Sequence, residues 1–282
     1  MKNYAELTKP SVTWLILVSA GVGYYFGLRG EWSFLTLLAT LAGTGLLAGG
    51  TFTLNQWWER DLDARMRRTA ARPVPSGRIQ PHSALLFGVV LSMTGYAVLQ
   101  IWVNTLTACL GFATLASYLF LYTPLKVRTP HATTVGAVPG AMPPLIGFAA
   151  ARGELSAEAW TLFAILFLWQ FPHFHSIAWL YRDDYARAGI RMLPVVEPDG
   201  RSTMRQVLAC CALLIPVSLL PSALSMSGAL YFAGAALLGS AFLWACIRAA
   251  RQLTLPAARG ILLASVAYLP LLYCLMLLDR PQ

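Results

Sequence analysis

The chain has 282 residues, of which 57% are hydrophobic and only 12% are charged. Soluble domains carry about 25% charged residues, so this composition excludes an ordinary soluble domain. A net charge of +9 is compatible with nucleic-acid binding, but in a membrane protein it indicates positively charged cytoplasmic loops. We therefore expect an integral membrane protein that has no nucleic-acid partner.

Nine apolar blocks approach the roughly 20 residues that a helix needs to cross a bilayer. They cover residues 11–28, 33–54, 83–103, 105–123, 132–151, 157–180, 206–224, 228–247 and 260–278. These blocks predict an all-α polytopic membrane protein, with nine transmembrane helices in one bundle and a single domain over residues 1–282. The first ten residues are mixed and polar, so the first block is predicted to be a retained span.

The loops between the predicted spans divide the basic residues unequally. Arg29, Arg152 and Arg280 fall on one side of the membrane, and the other 18 of the 21 Lys and Arg residues fall on the side of the N-terminus. Cytoplasmic loops carry the excess of basic residues, so the N-terminus is predicted to be cytoplasmic. The long loops on that side, about 55–82 and 181–205, carry both charge signs and are where chemistry is expected.

The first candidate site follows the second span. Asn55, Glu59 and Asp63 are spaced by four residues and would share one face of a helix. Carboxylates near a membrane surface suit Mg²⁺, which binds one or two of them together with substrate phosphates and water. By itself, such a cluster is more often a solvated helix end, paired here with Arg60, Arg65 and Arg67.

Basic residues surround a Pro/Gly turn directly after this motif, in the segment RRTAARPVPSGR at 67–78. Arginine side chains bind phosphate through two parallel hydrogen bonds. Lys126, at the cytoplasmic end of the fourth span, is a further candidate for diphosphate binding, and the alternative is a lysine that extends to the membrane surface. The Gly/Pro segment at 136–144 is expected to break or kink the fifth span and to allow close helix packing.

A second polar cluster lies at the cytoplasmic end of the sixth span. Asp183 and Asp184 form its acidic part, and two acidic clusters suit metal ions that hold a diphosphate between them. Ionisable groups this close to a span are costly and tend to be functional. His173 and His175 are candidate heme ligands or proton carriers, although such histidines are most often hydrogen-bonded within the bundle.

Together these segments resemble the UbiA-type intramembrane prenyltransferase superfamily, most closely its heme-farnesylating branch. The superfamily has an N-x-x-x-D-x-x-x-D motif after its second helix, which here reads Asn55, Glu59 and Asp63, with Glu59 replacing Asp. The branch is indicated by DARMRRTAARPVPSG at 63–77, YTPLK at 122–126, GAVPGAMPPLIGF at 136–148, and FPHF with YRDDYARAGIRMLPVV within 171–196.

The resemblance implies nine helices around a chamber that opens to the cytoplasm and to lipid. It assigns catalytic roles, Mg²⁺ binding and substrate binding to overlapping sets of residues. The catalytic set is Asn55, Glu59, Asp63, Asp183 and Asp184. The metal set is Glu59, Asp61, Asp63, Asp183 and Asp184. The substrate-binding set is Arg68, Arg72, Lys126 and His173.

The expected function is transfer of a farnesyl group from farnesyl diphosphate to a vinyl group of heme B, giving heme O. Heme B is then a substrate and Mg²⁺ the cofactor. The expected setting is the bacterial inner membrane, with heme A synthase or the terminal oxidase assembly as protein partners. Three alternatives remain open: a prenyltransferase acting on an aromatic or quinone precursor, a transporter that uses the acidic residues as ion sites, and a structural membrane anchor, which would not need two acidic clusters facing arginines.

Overall fold

A computed structural model describes residues 2–30 and 32–281, and within these ranges it contains helices and no strand. Nine long helices are present in the described ranges. They are α1 (Pro10–Gly27), α2 (Phe34–Trp58), α3 (Pro81–Trp102), α4 (Thr105–Leu125), α5 (Ala132–Arg152), α6 (Ala157–Leu180), α7 (Arg201–Ala223), α8 (Ala229–Gln252) and α9 (Leu255–Leu278). Seven of them, all except α1 and α6, are long and apolar enough to cross a membrane. The chain is therefore a polytopic helical protein with a helix at each predicted span.

Several helix ends differ from the predicted span ends. Helix α2 continues to Trp58, α7 begins at Arg201, and α8 continues to Gln252, four or five residues beyond the apolar blocks. Apolar composition marks the part of a helix that lies in hydrocarbon. Backbone hydrogen bonding carries the helix further, into the charged flanks, where composition no longer predicts it.

Contacts between loops define the two ends of the bundle. At one end, Arg78 binds Glu6 of the N-terminal segment (2.8 Å), and the amide of Arg191 donates to the carbonyl of Lys126 (2.8 Å). At the other end, the side-chain amide of Asn104 donates to the carbonyl of Ala149 (2.9 Å). We call the first the basic end: it comprises residues 2–9 and the loops at 59–80, 126–131, 181–200 and 253–254.

Helices α1 and α5 pack at backbone distance. A Cβ atom placed on Gly23 of α1 would lie 2.1 Å from the carbonyl oxygen of Pro144, and one on Gly147 of α5 would lie 1.8 Å from that of Ala20. Small residues allow such approach in membrane bundles. The close packing predicted for this segment is thus confirmed.

The fifth span is predicted to be broken or kinked, and it is not broken. Pro139, Pro143 and Pro144 all lie inside one continuous helix, and all three are buried. Membrane helices tolerate proline because neighbouring helices and local adjustments satisfy the freed backbone groups.

Near its end, α4 contains a π-helical segment, Ser117–Tyr122, which Thr123 joins to Pro124. Proline has no amide hydrogen, and its ring crowds the carbonyl four residues earlier in a regular helix. A wider turn relieves that crowding, and π-turns are frequent at functional sites. The segment brings Thr123 and Lys126 to the basic end beside α2.

Candidate active site

The three residues of the first polar motif lie on one buried face at the end of α2. Asn55, Glu59 and Asp63 have exposed fractions of 1%, 5% and 1%. The amide of Glu59 donates to the carbonyl of Asn55 (2.9 Å), and that of Asp63 donates to the carbonyl of Glu59 (2.8 Å). Helical hydrogen bonding thus continues past Trp58, and the predicted shared face is confirmed.

Each motif carboxylate binds one of the cations that the sequence assigned to phosphate. Lys126 Nζ lies 2.8 Å from Glu59 Oε1 and 3.0 Å from its Oε2. Arg72 Nη1 donates to Asp63 Oδ2 at 2.7 Å. Burial acts to lower the pKa of Lys126, but attraction to the Glu59 carboxylate outweighs it and raises the pKa above its ordinary value.

The alternative of a solvated helix end fits only Asp61. Its side chain is 81% exposed and lies 3.9 Å from Arg60. Glu59 and Asp63 are instead buried and bind Lys126 and Arg72, which are distant in sequence or lie across the turn. Burial of two carboxylates is costly unless each is paired with a cation. Arg72 and Lys126 supply these cations, so the buried face of α2 is an organised polar site.

The second acidic cluster meets the arginine segment. The main-chain amide of Arg68 donates to Asp184 Oδ2 at 3.2 Å, and Asp184 also pairs with Arg187. The guanidinium of Arg68 lies over the ring of Tyr181, 4.8 Å from its centre. Buried apolar side chains from both loops, including Met66, join the two segments beneath these contacts.

A cavity of about 390 Å³ lies where the two loops meet. Its lining combines both acidic residues of the second cluster with basic residues of both loops: Arg67, Arg68, Leu180, Tyr181, Asp183, Asp184 and Arg187. Asp183 is 90% exposed, whereas Asp184 is buried. The predicted pair therefore divides into one solvent-facing acid and one that joins the loops.

The two histidines of α6 are hydrogen-bonded within the bundle. Nδ1 of His173 lies 2.9 Å from the Ser265 hydroxyl, and its ring stacks on Trp169 with centres 4.7 Å apart. Nε2 of His175 lies 2.8 Å from the side-chain oxygen of Gln206. His175 is buried, while His173 is half-buried.

The acidic residues suit a Mg²⁺ ion that takes only one or two of its ligands from the protein. Among the described residues no three His, Cys, Asp or Glu side chains converge closely enough to share one metal ion. Mg²⁺ usually binds one or two carboxylates and completes its shell with water and substrate phosphates. Glu59 with Asp63, or Asp184 with the exposed Asp183, would supply oxygen ligands of this kind.

Sequence reasoning missed two residues of the site. Thr123 accepts a hydrogen bond from the side-chain amide of Asn55 (3.1 Å), which ties α4 to α2. Lys9, the residue before α1, lies with its ammonium group 4.9 Å from the ring centre of Phe52. The YTPLK segment at 122–126 contains Thr123, but no sequence motif indicated Lys9.

The structure gathers buried carboxylates and basic side chains at one end of a helical membrane bundle. The UbiA prenyltransferase family model matches residues 16–276. The chain belongs to this family and is a prenyltransferase. The acidic residues of the two predicted clusters lie at one end of the bundle, which disfavours the mid-membrane ion site of a transporter.

A protoheme IX farnesyltransferase of Solibacter usitatus (strain Ellin6076) is 61% identical over 290 residues, covering 100% of this chain and 99% of that protein. A solved digeranylgeranylglyceryl phosphate synthase has a TM-score of 0.83 at 17% identity, covering 99% of this chain and 98% of that one. A UbiA homolog from Archaeoglobus fulgidus bound to GPP and Mg²⁺ has a TM-score of 0.65 at 14% identity, covering 97% and 99%. The two structures share the fold with this chain.

Proposed function

We propose that the protein transfers a farnesyl group from farnesyl diphosphate to a vinyl group of heme B, with addition of water, to give heme O and diphosphate. The observation that carries this proposal is full-length similarity, at 61% identity, to a protoheme IX farnesyltransferase. The site supports it, because a buried polar face of α2 meets two basic segments at one end of an otherwise apolar bundle.

Arg72 and Lys126, the cations of the two ion pairs, would bind the donor. Arg72 binds Asp63 through Nη1, which leaves further N–H donors of the guanidinium for phosphate oxygens. Lys126 has three N–H donors and two carboxylate contacts. When bound, Mg²⁺ supplies positive charge against the oxygens of the leaving diphosphate.

In the reaction the C1–O bond of farnesyl diphosphate breaks, and its electron pair leaves with the diphosphate. A vinyl carbon of heme B then forms the new bond to C1, and water adds to the resulting cation and loses a proton. Arg68, Arg72 and Lys126 would stabilise the charge that develops on the leaving group. The apolar helices would limit access of water to the allylic cation before transfer.

The acceptor is proposed to lie along α6. Nδ1 of His173 is held by Ser265, so Nε2 is the nitrogen left for a heme contact. Asp183 and Asp184 follow on the same side of the bundle, beside the 390 Å³ cavity. The loop that follows α6 contacts the loop that follows the α2 motif, because the main-chain amide of Arg68 donates to Asp184.

We further propose that all nine long helices cross the bacterial inner membrane with the basic end in the cytoplasm. That end and the adjoining ends of α7, α8 and α9 together carry 18 of the 21 Lys and Arg residues, in accord with the positive-inside rule. The donor site would then face the cytoplasm. Heme A synthase or the terminal oxidase assembly is the expected consumer of the product.

The test is product analysis of the purified protein in detergent with heme B, farnesyl diphosphate and Mg²⁺. We expect a heme product heavier by one farnesyl group plus one water, and its loss when EDTA is added. Hydroxybenzoate and naphthoate acceptors are offered in parallel reactions. Prenylation of one of these, with unmodified heme, would overturn the heme assignment in favour of an aromatic acceptor.

A further inference from the structure

The segment before α1 places a lysine among the charged residues of the site. Lys9 is half-buried and its ammonium group lies over Phe52, a buried residue of α2 one turn before Asn55. Its charge is repelled by Arg72 and Lys126 and attracted by Glu59 and Asp63. Lys9 thus belongs electrostatically to the same group as the two ion pairs.

The charges of this group do not balance. Glu59 binds Lys126 and Asp63 binds Arg72, with N–O distances of 2.8 and 2.7 Å. Lys9 forms no ion pair with any acidic residue in the part of the chain that the structure describes. The five side chains of this group therefore carry a net charge of +1. The cation outside the two ion pairs is Lys9, which contacts the ring of Phe52.

The backbone of Lys9 is held in a disfavoured conformation. Its φ of 47° and ψ of 66° lie in the left-handed region, which non-glycine residues enter at a cost. Pro10 follows directly, and a residue before proline normally adopts an extended conformation. Such strain persists where surrounding contacts impose it, and it clusters at functional sites.

Two hydrogen bonds hold the residues that precede Lys9. The side-chain amide of Gln56, on α2, donates to the carbonyl of Leu7 at 2.8 Å. The hydroxyl of Thr13, on α1, donates to the carbonyl of Thr8 at 2.7 Å. The two residues before Lys9 are thus fixed to helices on both sides, and the lysine is presented toward the end of α2.

We propose that Lys9 is a further substrate-binding residue, whose ammonium group contacts the diphosphate of the prenyl donor. This inference rests on the proposed function. An anion is the ligand that an unbalanced, half-buried ammonium group selects, and the donor's diphosphate is the anion that the neighbouring Arg72 and Lys126 are assigned to bind. Burial, with repulsion from these two cations, lowers the pKa of Lys9 to about 7, and bound diphosphate would offset that effect.

The experiment compares binding of farnesyl diphosphate and of farnesol, which has the same chain and a neutral hydroxyl, to four purified proteins. These are the wild type, Lys9→Gln, Lys9→Arg and Lys2→Gln. Lys2 is an exposed lysine of the same N-terminal segment, so its substitution removes the same charge outside the site. Calorimetry in detergent with Mg²⁺ gives the dissociation constants.

We expect Lys9→Gln to weaken farnesyl diphosphate binding by about 10-fold to 100-fold, the range for a charge-assisted hydrogen bond. Lys9→Arg retains most of the affinity, Lys2→Gln matches the wild type, and farnesol binds all four proteins equally. If Lys9→Gln does not give monodisperse protein, Lys9→Met removes the same charge and keeps the apolar stem over Phe52.

Two results would overturn the proposal while leaving the proposed function intact. One is wild-type affinity for farnesyl diphosphate in the Lys9→Gln variant, which would make Lys9 an interfacial lysine only. The other is an equal loss of farnesyl diphosphate and farnesol binding, which would indicate a structural role. Failure of the wild type itself to bind farnesyl diphosphate would overturn the proposed function and this inference with it.

Discussion

Lys126 binds both carboxylate oxygens of Glu59, at 2.8 and 3.0 Å, and so joins the end of α4 to the end of α2. The two residues are 67 positions apart in the chain, and both are buried. The pair combines one predicted metal ligand with one predicted phosphate contact. Each residue thus satisfies the charge of the other.

The stability of this pair can be measured by a double-mutant cycle. Removing one partner of a buried ion pair leaves an uncompensated charge and costs about 3–5 kcal/mol. We expect Glu59→Gln and Lys126→Met each to lower the thermal midpoint in detergent, and the double variant to recover part of the loss. Strictly additive losses would show that the two side chains are not coupled.

Asp63 and Asp61 belong to the same motif but differ in burial. Asp63→Asn removes a buried charge that binds Arg72, and we expect turnover to fall at least about 100-fold, as for loss of a preorganised electrostatic contact. Asp61→Asn changes a side chain that is 81% exposed and should have the smaller effect. Steady-state assays of both variants, with membrane insertion checked, test this order.

Equal turnover of Asp63→Asn and the wild type would refute the role assigned to Asp63. A larger loss for Asp61→Asn than for Asp63→Asn would show that the metal is held by the exposed acid. Wild-type levels of inserted protein in both variants exclude misfolding as the cause.

Donor affinity should depend on pH through Lys9. Its pKa is lowered to about 7 by burial and by Arg72 and Lys126, against the attraction of Glu59 and Asp63. A lowered pKa means that the ammonium form is lost as pH rises through about 7, so affinity for farnesyl diphosphate should weaken above that pH. Lys9→Arg stays charged in this range and should show a flatter profile.

The measurement is the dissociation constant of farnesyl diphosphate as a function of pH for both proteins. The arginine variant serves as the control for titration of the diphosphate itself, which affects both profiles equally. Identical pH profiles would contradict the assignment of the slope to Lys9.

The contact between α1 and α5 makes a prediction about stability. Gly147→Ala would place a methyl group 1.8 Å from the carbonyl oxygen of Ala20, where backbone cannot easily yield, and should cost about 1–3 kcal/mol or more. Gly21→Ala, on the same face-to-face pair of helices, meets no atom within 4 Å. It should stabilise α1 by about 0.5–1 kcal/mol.

Thermal unfolding in detergent, followed by circular dichroism, measures both changes. A midpoint for Gly147→Ala at or above that of the wild type would show that the two helices separate without cost. The Gly21 variant controls for the general effect of adding a methyl group to a glycine of these helices.

The sequence by itself determined the number and approximate position of the long helices and the identity of the polar face of α2. The physical reason is that both are local: hydrocarbon requires long apolar segments, and a spacing of four residues places side chains on one helix face. The grouping of Asn55, Glu59 and Asp63 therefore follows from their spacing alone.

Only the tertiary structure decided which charges meet. Lys126 and Glu59 follow different helices, and Arg68 and Asp184 lie 116 positions apart. Lys9 lies over Phe52 of α2, where Gln56 and Thr13 hold the segment before α1. These pairings depend on how the helices pack and where their ends coincide. Residue spacing along one helix carries no information about contacts between helices. For this reason the sequence assigned Lys126 and Arg72 to phosphate but not to their carboxylate partners, and it gave no role to Lys9.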